Sequence, residues 1–277
     1  MANLKINLSS IKKMFSSEEA TKNYIEKEKN SVFSLPAHFK DDLFLEVIQG
    51  MDVYHTKKEE EAIIYIPGGG FISDPSDYQL RFARELGSAT KQTVYCLIYP
   101  KTPNHTRDEI VSNVKDVVRT LCKEYHGISL VSDSAGSAIA LSVMDELDVK
   151  IHKVVFLSPL VDLRYNSDFQ KRLEKEDEML SYPGVKILAD LYRSDYERDN
   201  PLVSPVLLRK LKKVPALIIV GKKEMMLHDA RLLKEKYEQL QITHLYHEVD
   251  EMMHDFVFYP IEEGKKYRKE VFRFLQK

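Results

Sequence analysis

Ser134 stands within Ser132-Asp133-Ser134-Ala135-Gly136, after the apolar run Ile128-Ser129-Leu130-Val131 and before a helix-forming stretch that ends near Leu147. A serine at a tight strand-to-helix turn has its hydroxyl pushed clear of the backbone. There the free N–H groups of the helix N-terminus can meet a developing oxyanion. Such a turn presses two backbones together, which suits the small Ala135 and Gly136. Ser132 suits it less, because the usual pattern G-x-S-x-G has glycine at that place. A serine hydroxyl needs a base, and the base needs an orienting carboxylate. Both follow, in the order serine, acid, histidine: Glu224 leaves the end of the apolar run Ala216 to Val220, and His254 lies in Met252-Met253-His254-Asp255-Phe256, after the strand-like His244 to Val249. The chemistry open to this set is nucleophilic acyl transfer. Ser134 would attack, His254 would carry the proton and Glu224 would orient the imidazole. Asp229, close to Glu224 in sequence, is the rival acid.

A second signal lies upstream, where Pro67-Gly68-Gly69-Gly70-Phe71 follows the buried-strand pattern Ala62 to Ile66. Glycine gives up more backbone freedom on folding than any other residue. Three in a row at a strand end therefore point to a close approach of the backbone to something else. An oxyanion-binding loop facing the serine turn would meet that description, as would a flexible turn. A phosphate cradle fits poorly: no Gly-Lys-Ser/Thr follows, and G-x-G-x-x-G would need glycine at Ser73.

With these motifs in order, the chain resembles the hormone-sensitive-lipase-like branch of the α/β-hydrolases, esterases marked by H-G-G-G and G-D-S-A-G. The likeness runs from about Tyr65 to about Phe256 and includes Ile98-Tyr99-Pro100, Ser158-Pro159-Leu160-Val161-Asp162-Leu163 and Asn200-Pro201-Leu202-Val203-Ser204-Pro205. It implies an α/β-hydrolase fold, a mostly parallel eight-stranded sheet flanked by helices with a small helical cap. It also implies Ser134 as nucleophile, Glu224 as acid, His254 as base, and the amides of Gly69, Gly70 and Ala135 as oxyanion hole. Three residues depart from the pattern. Pro67 replaces the histidine, Ser132 the first elbow glycine, and Glu224 the usual aspartate. The activity implied is hydrolysis of small, short-acyl esters through an acyl-enzyme. An amide, a formamide or an acetylated sugar or drug would serve the same triad, and a non-catalytic small-molecule binder is the alternative of another class.

To bring these residues together the chain needs alternating strands and helices. The patterns predict an antiparallel hairpin, Leu43 to Ile48 and Met51 to His55, and helices at about Asp77 to Thr90, Asp108 to Tyr125, Ser134 to Leu147, Asp229 to Gln239 and Ile261 to Leu275. No linker or repeat divides the 277 residues, which read as a single domain. Residues 1–40 and 166–200 fall outside the rhythm and are expected to form the cap. Within it, Lys171 to Asp177 reads as a solvated helix face. Leu180, Tyr182, Val185, Leu188 and Tyr192 are expected either to hold the cap down or to meet an acyl chain.

A net charge of −2 gives no general attraction to nucleic acid or to an anionic membrane. No signal peptide or spanning segment is visible, so a cytoplasmic location is the expectation. Cys96 and Cys122 are expected to be buried free thiols. No H-E-x-x-H pair occurs, and His244 and His247, three apart on a strand, would face opposite ways, so neither metal nor cofactor is expected. The one partner implied is a small ester; a homodimer through the last strand or helix is compatible with the sequence.

Overall fold

The apolar runs of this chain become strands buried on both faces. In the computed structural model, which describes residues 17–276, the hairpin is β1 (Phe44–Ile48) and β2 (Met51–His55), followed by β3 (Ala62–Ile66), β4 (Thr93–Leu97), β5 (Ile128–Asp133), β6 (Ile151–Leu157), β7 (Ala216–Gly221) and β8 (His244–Val249). They form one sheet in the order β1-β2-β4-β3-β5-β6-β7-β8. β2 pairs antiparallel with β1 and with β4, and every other pairing is parallel. Every residue of β3, β4, β5 and β7 is buried, as parallel strands covered on both faces require.

The helices are α1 (Glu18–Glu28), α2 (Asp77–Thr90), α3 (Arg107–Glu124), α4 (Gly136–Glu146), α5 (Asp168–Leu173), α6 (Tyr182–Arg193), α7 (Leu227–Gln239) and α8 (Glu262–Gln276). Alternation along β3 decides which helices each face receives. Ile64 belongs to the core cluster that holds Val114 of α3, Ile139 of α4 and Leu233 of α7. Ile63 and Tyr65 belong to the other, with Leu80, Phe82 and Leu86 of α2 and Val271 and Leu275 of α8. At the sheet's far edge His244 meets Tyr237 of α7 edge-to-face, and His247 meets Tyr267 of α8 likewise, the opposite faces expected of an odd spacing.

Capping sets several boundaries. Ser76 and Gln79 form a reciprocal capping box that starts α2, and Thr106 and Glu109 do the same for α3. Two helix starts differ from the sequence expectation by two residues. α4 begins at Gly136 rather than Ser134, because Ser134 has a left-handed φ of 45° that no helix accommodates. α7 begins at Leu227, two residues before Asp229.

The predicted cap segments divide. Residues 1–16 lie outside the described residues. α1 packs on α6, with Ile25 and Leu188 meeting Ile72 in a small apolar cluster of their own. Ser181 caps α6 and Pro183 occupies its first turn, where a missing N–H costs nothing. The solvated-face reading of Lys171 to Asp177 needs correction at its end. Lys171, Arg172, Lys175 and Glu176 are exposed, but Asp177 is buried and accepts the amides of Met179, Leu180 and Met225. Cys96 is fully buried, Cys122 only half-buried, and neither is in a disulfide. Among the described residues no helix is long and apolar enough to cross a membrane.

Candidate active site

β5 and α4 meet at Ser134, whose N–H donates to Leu157 O on β6 and whose carbonyl accepts from Leu160 N and Ser137 N. These three bonds hold the strained φ in place and aim the hydroxyl away from the sheet. The closeness of the turn is visible at Gly136, where an added Cβ would lie 2.2 Å from Ile66 O and 2.8 Å from Pro67 O. Ser132 is accommodated without a clash: its hydroxyl lies 3.2 Å from Ser137 Oγ and donates at 3.4 Å to Val155 O.

Three distant segments converge on the serine. His254 Nε2 is 3.1 Å from Ser134 Oγ, and His254 Nδ1–H donates to Glu224 Oε2 at 2.7 Å. The other oxygen of Glu224 accepts from Gly221 N–H at 2.6 Å and from Ser158 Oγ–H at 2.8 Å. Ser158 Oγ in turn accepts the N–H of Asp255 at 3.0 Å. The acid and histidine loops are also laced through their backbones, Lys222 N–H to Val249 O and Lys223 N–H to Met252 O, both 2.9 Å. Asp229 takes no part. Its carboxylate accepts the amides of Val161 and Asp162 and the side chain of Gln170, which makes it a clamp for the segment after β6.

The glycine loop lies against the elbow. A Cβ on Gly68 would meet Asp133 Oδ2 at 2.4 Å, and Gly69 holds φ at 127°, open only to glycine without strain. Asp133 anchors this loop by accepting from the N–H of Gly68, from Tyr65 Oη–H at 2.6 Å and from Gln79 Nε2 at 2.9 Å. Burial pushes its carboxyl up to about 6, against the pull of those donors and of His254. Pro67 removes the polar side chain expected there, and the loop is held instead by Tyr99 Oη–H donating to Pro67 O at 2.7 Å. Among the described residues none accepts a hydrogen bond from the amides of Gly69, Gly70 or Ala135, and no side chain caps α4. Vacant donors are what an oxyanion site requires.

Gly69, Gly70, Ser134 and His254 line a cavity of about 310 Å³. Leu180, Val185 and Leu188 also line it, with Leu188 against Gly70. Tyr182 and Tyr192 do not: Tyr182 donates its hydroxyl to Tyr165 O, and Tyr192 stacks on Phe71 at 3.8 Å. Sequence reasoning therefore left Asp133, Ser158, Asp177 and Asp255 without a role. The adjacency of Asp133 to Ser134 and of Asp255 to His254 was the signal available for two of them.

Comparison with known proteins agrees with this architecture. A family model described as alpha/beta hydrolase fold matches residues 63–258. An esterase of Acinetobacter venetianus is 26% identical over 203 residues, covering 70% of this chain and 67% of that protein. Among solved structures, a Staphylococcus aureus protein superposes with a TM-score of 0.87 at 24% identity, covering 99% of this chain and 97% of the other. An esterase from the bacterial hormone-sensitive lipase family superposes at 0.77 with 21% identity, covering 94% and 97%. With well over half its length matched by that model, this chain belongs to the alpha/beta hydrolase fold family, the family its motifs resemble.

Proposed function

We propose that this chain is a serine carboxylesterase acting on small, short-acyl esters through an acyl-enzyme on Ser134. The observation that carries the reading is the unbroken line from Ser134 Oγ through His254 to Glu224, at 3.1 and 2.7 Å. Glu224 fixes the imidazole with its proton on Nδ1 and leaves Nε2 to take the serine proton as Oγ bonds to the ester carbonyl carbon. The amides of Gly69, Gly70 and Ala135 receive the negative oxygen; losing one such donor typically costs about 3 kcal/mol of barrier. His254 then gives the proton to the departing alcohol, and water repeats the sequence on the acyl group.

Substrate size follows from the walls. A cavity of about 310 Å³ lies at the low end of small-molecule sites, and α1 with residues 166–200 serves as its cap, part of one hydrolase domain. Leu180, Val185 and Leu188 receive the acyl chain. The esterase name of the Acinetobacter relative points the same way.

The test pairs a fluorophosphonate probe with p-nitrophenyl esters of increasing chain length. Labelling and hydrolysis that both vanish in Ser134→Ala, with kcat/KM highest for the short esters, are expected. An unlabelled wild-type protein would refute the enzyme reading in favour of a binder.

A further inference from the structure

We propose that Asp255 is a positioning residue that keeps an additional proton on the Ser134-facing nitrogen of His254, so that the resting site must shed this proton before the imidazole can act as base. The inference rests on the acyl-enzyme reading and deepens it. Asp255 Oδ2 lies 3.3 Å from His254 Nε2, the nitrogen that also faces Ser134 Oγ at 3.1 Å. Because Nδ1–H is committed to Glu224, a neutral His254 presents a bare lone pair at Nε2. An ionised Asp255 sets its negative charge 3.3 Å from that nitrogen, an ion-pair contact that favours a proton on Nε2. A proton there occupies the lone pair that faces Ser134 Oγ.

The backbone leaves the carboxyl little choice of place. Asp255 has a left-handed φ of 54°, and its N–H is held by Ser158 Oγ. Its side chain is 13% exposed, and Oδ1 is buried with no hydrogen-bond partner among the described residues. The charged groups around the pair all favour retention of the proton: Glu224 from the loop after β7, Asp177 from the segment before α6, and Asp133 from the elbow. The phenols of Tyr65 and Tyr259, from β3 and from the segment after His254, feel the same carboxyl. No lysine or arginine among the described residues lines the cavity. Burial alone would lower His254, yet Asp255, Glu224 and Asp177 lift it to about 10. Burial, with Asp133 and Glu224, also raises Asp255 well above the usual carboxylate range, against the pull of His254. Both shifts have one sense: the pair releases its proton late.

Two variants test this. Asp255→Gly keeps the left-handed backbone and removes the carboxyl; Asp255→Asn keeps the volume and removes the negative charge. The measurement is kcat/KM for p-nitrophenyl butyrate between about pH 5 and pH 10, which reports the free enzyme's essential base. The wild-type acidic limb is expected to centre above about pH 7.5, well over the ordinary histidine value of about 6.5. In both variants its midpoint should fall by at least about one unit, a gain of roughly tenfold or more in the fraction of plateau activity well down the limb. A limb that stays in place in both variants overturns the inference. The two failures are distinct. Hydrolysis that survives Ser134→Ala removes the acyl-enzyme reading and this inference with it, whereas Ser134-dependent hydrolysis with an unmoved limb removes this inference alone.

Discussion

Glu224 has both carboxylate oxygens engaged, Oε1 by Gly221 and Ser158 and Oε2 by His254, so its rotamer is fixed from two sides. In Glu224→Gln the amide oxygen can still satisfy Gly221 and Ser158, which turns the NH₂ toward His254 Nδ1. The imidazole must then carry its proton on Nε2, the wrong nitrogen for a base. A fall in kcat of about 10⁴ is expected, by analogy with the aspartate-to-asparagine change in other triads; steady-state rates on a short p-nitrophenyl ester would measure it. The extra methylene relative to aspartate, a departure from the family pattern, is taken up without loss of the 2.7 Å contact. Ser134, Glu224 and His254 were legible because each sits at a strand end with a local signature. The supporting residues were not. Asp133 acts on Tyr65 across 68 residues, Ser158 on Glu224 across 66, and Asp255 on Ser158 across 97, and no short window of sequence contains both partners.

Among the elements, the elbow is the joint on which the site depends. At Gly136 the atoms that a new Cβ would strike are the carbonyls of Ile66 and Pro67, backbone held by β3 and by Tyr99. A side chain could turn away, but these cannot, so Gly136→Ala should push α4 off β3 and cost about 1–3 kcal/mol as overpacking does. Urea unfolding would read the loss, and a variant as stable as the wild type would contradict the crowding. The runs Ala62 to Ile66, Ile128 to Val131 and Ala216 to Val220 were readable as strands to within two residues because buried parallel strands are plain apolar runs, whereas β6 had no expected range. Charge patterns were less informative. Polarity marked Lys171 to Asp177 as a surface, but it could not tell that the amides of Met179 and Leu180 in its own turn and of Met225, 48 residues away, would draw Asp177 inward. For the same reason Tyr182 and Tyr192 could not be separated from Leu188 before their partners, Tyr165 and Phe71, were known.

At the scale of the whole molecule, the site's unusual proton affinity becomes a property of folding. His254 is raised from 6.5 to about 10 in the folded chain, so the folded state binds its proton more tightly than the unfolded one. The stability gained is complete below 6.5 and is lost as pH rises through about 10. The raised Asp255 acts with the same sign. Urea midpoints should therefore decline between those pH values, and the decline should be shallower in Asp255→Gly; a flat profile in the wild type would argue against a charged imidazole. The lacing of Lys222 to Val249 and Lys223 to Met252 has a mechanical consequence. Glu224 and His254 are carried on the loops after the adjacent parallel strands β7 and β8 and are tied together by those bonds, while Ser134 belongs to the elbow after β5. Any breathing that lets an alcohol escape would part the oxygen from the ring and leave the ring's grip on its carboxylate intact, so each turnover could begin with the imidazole already oriented.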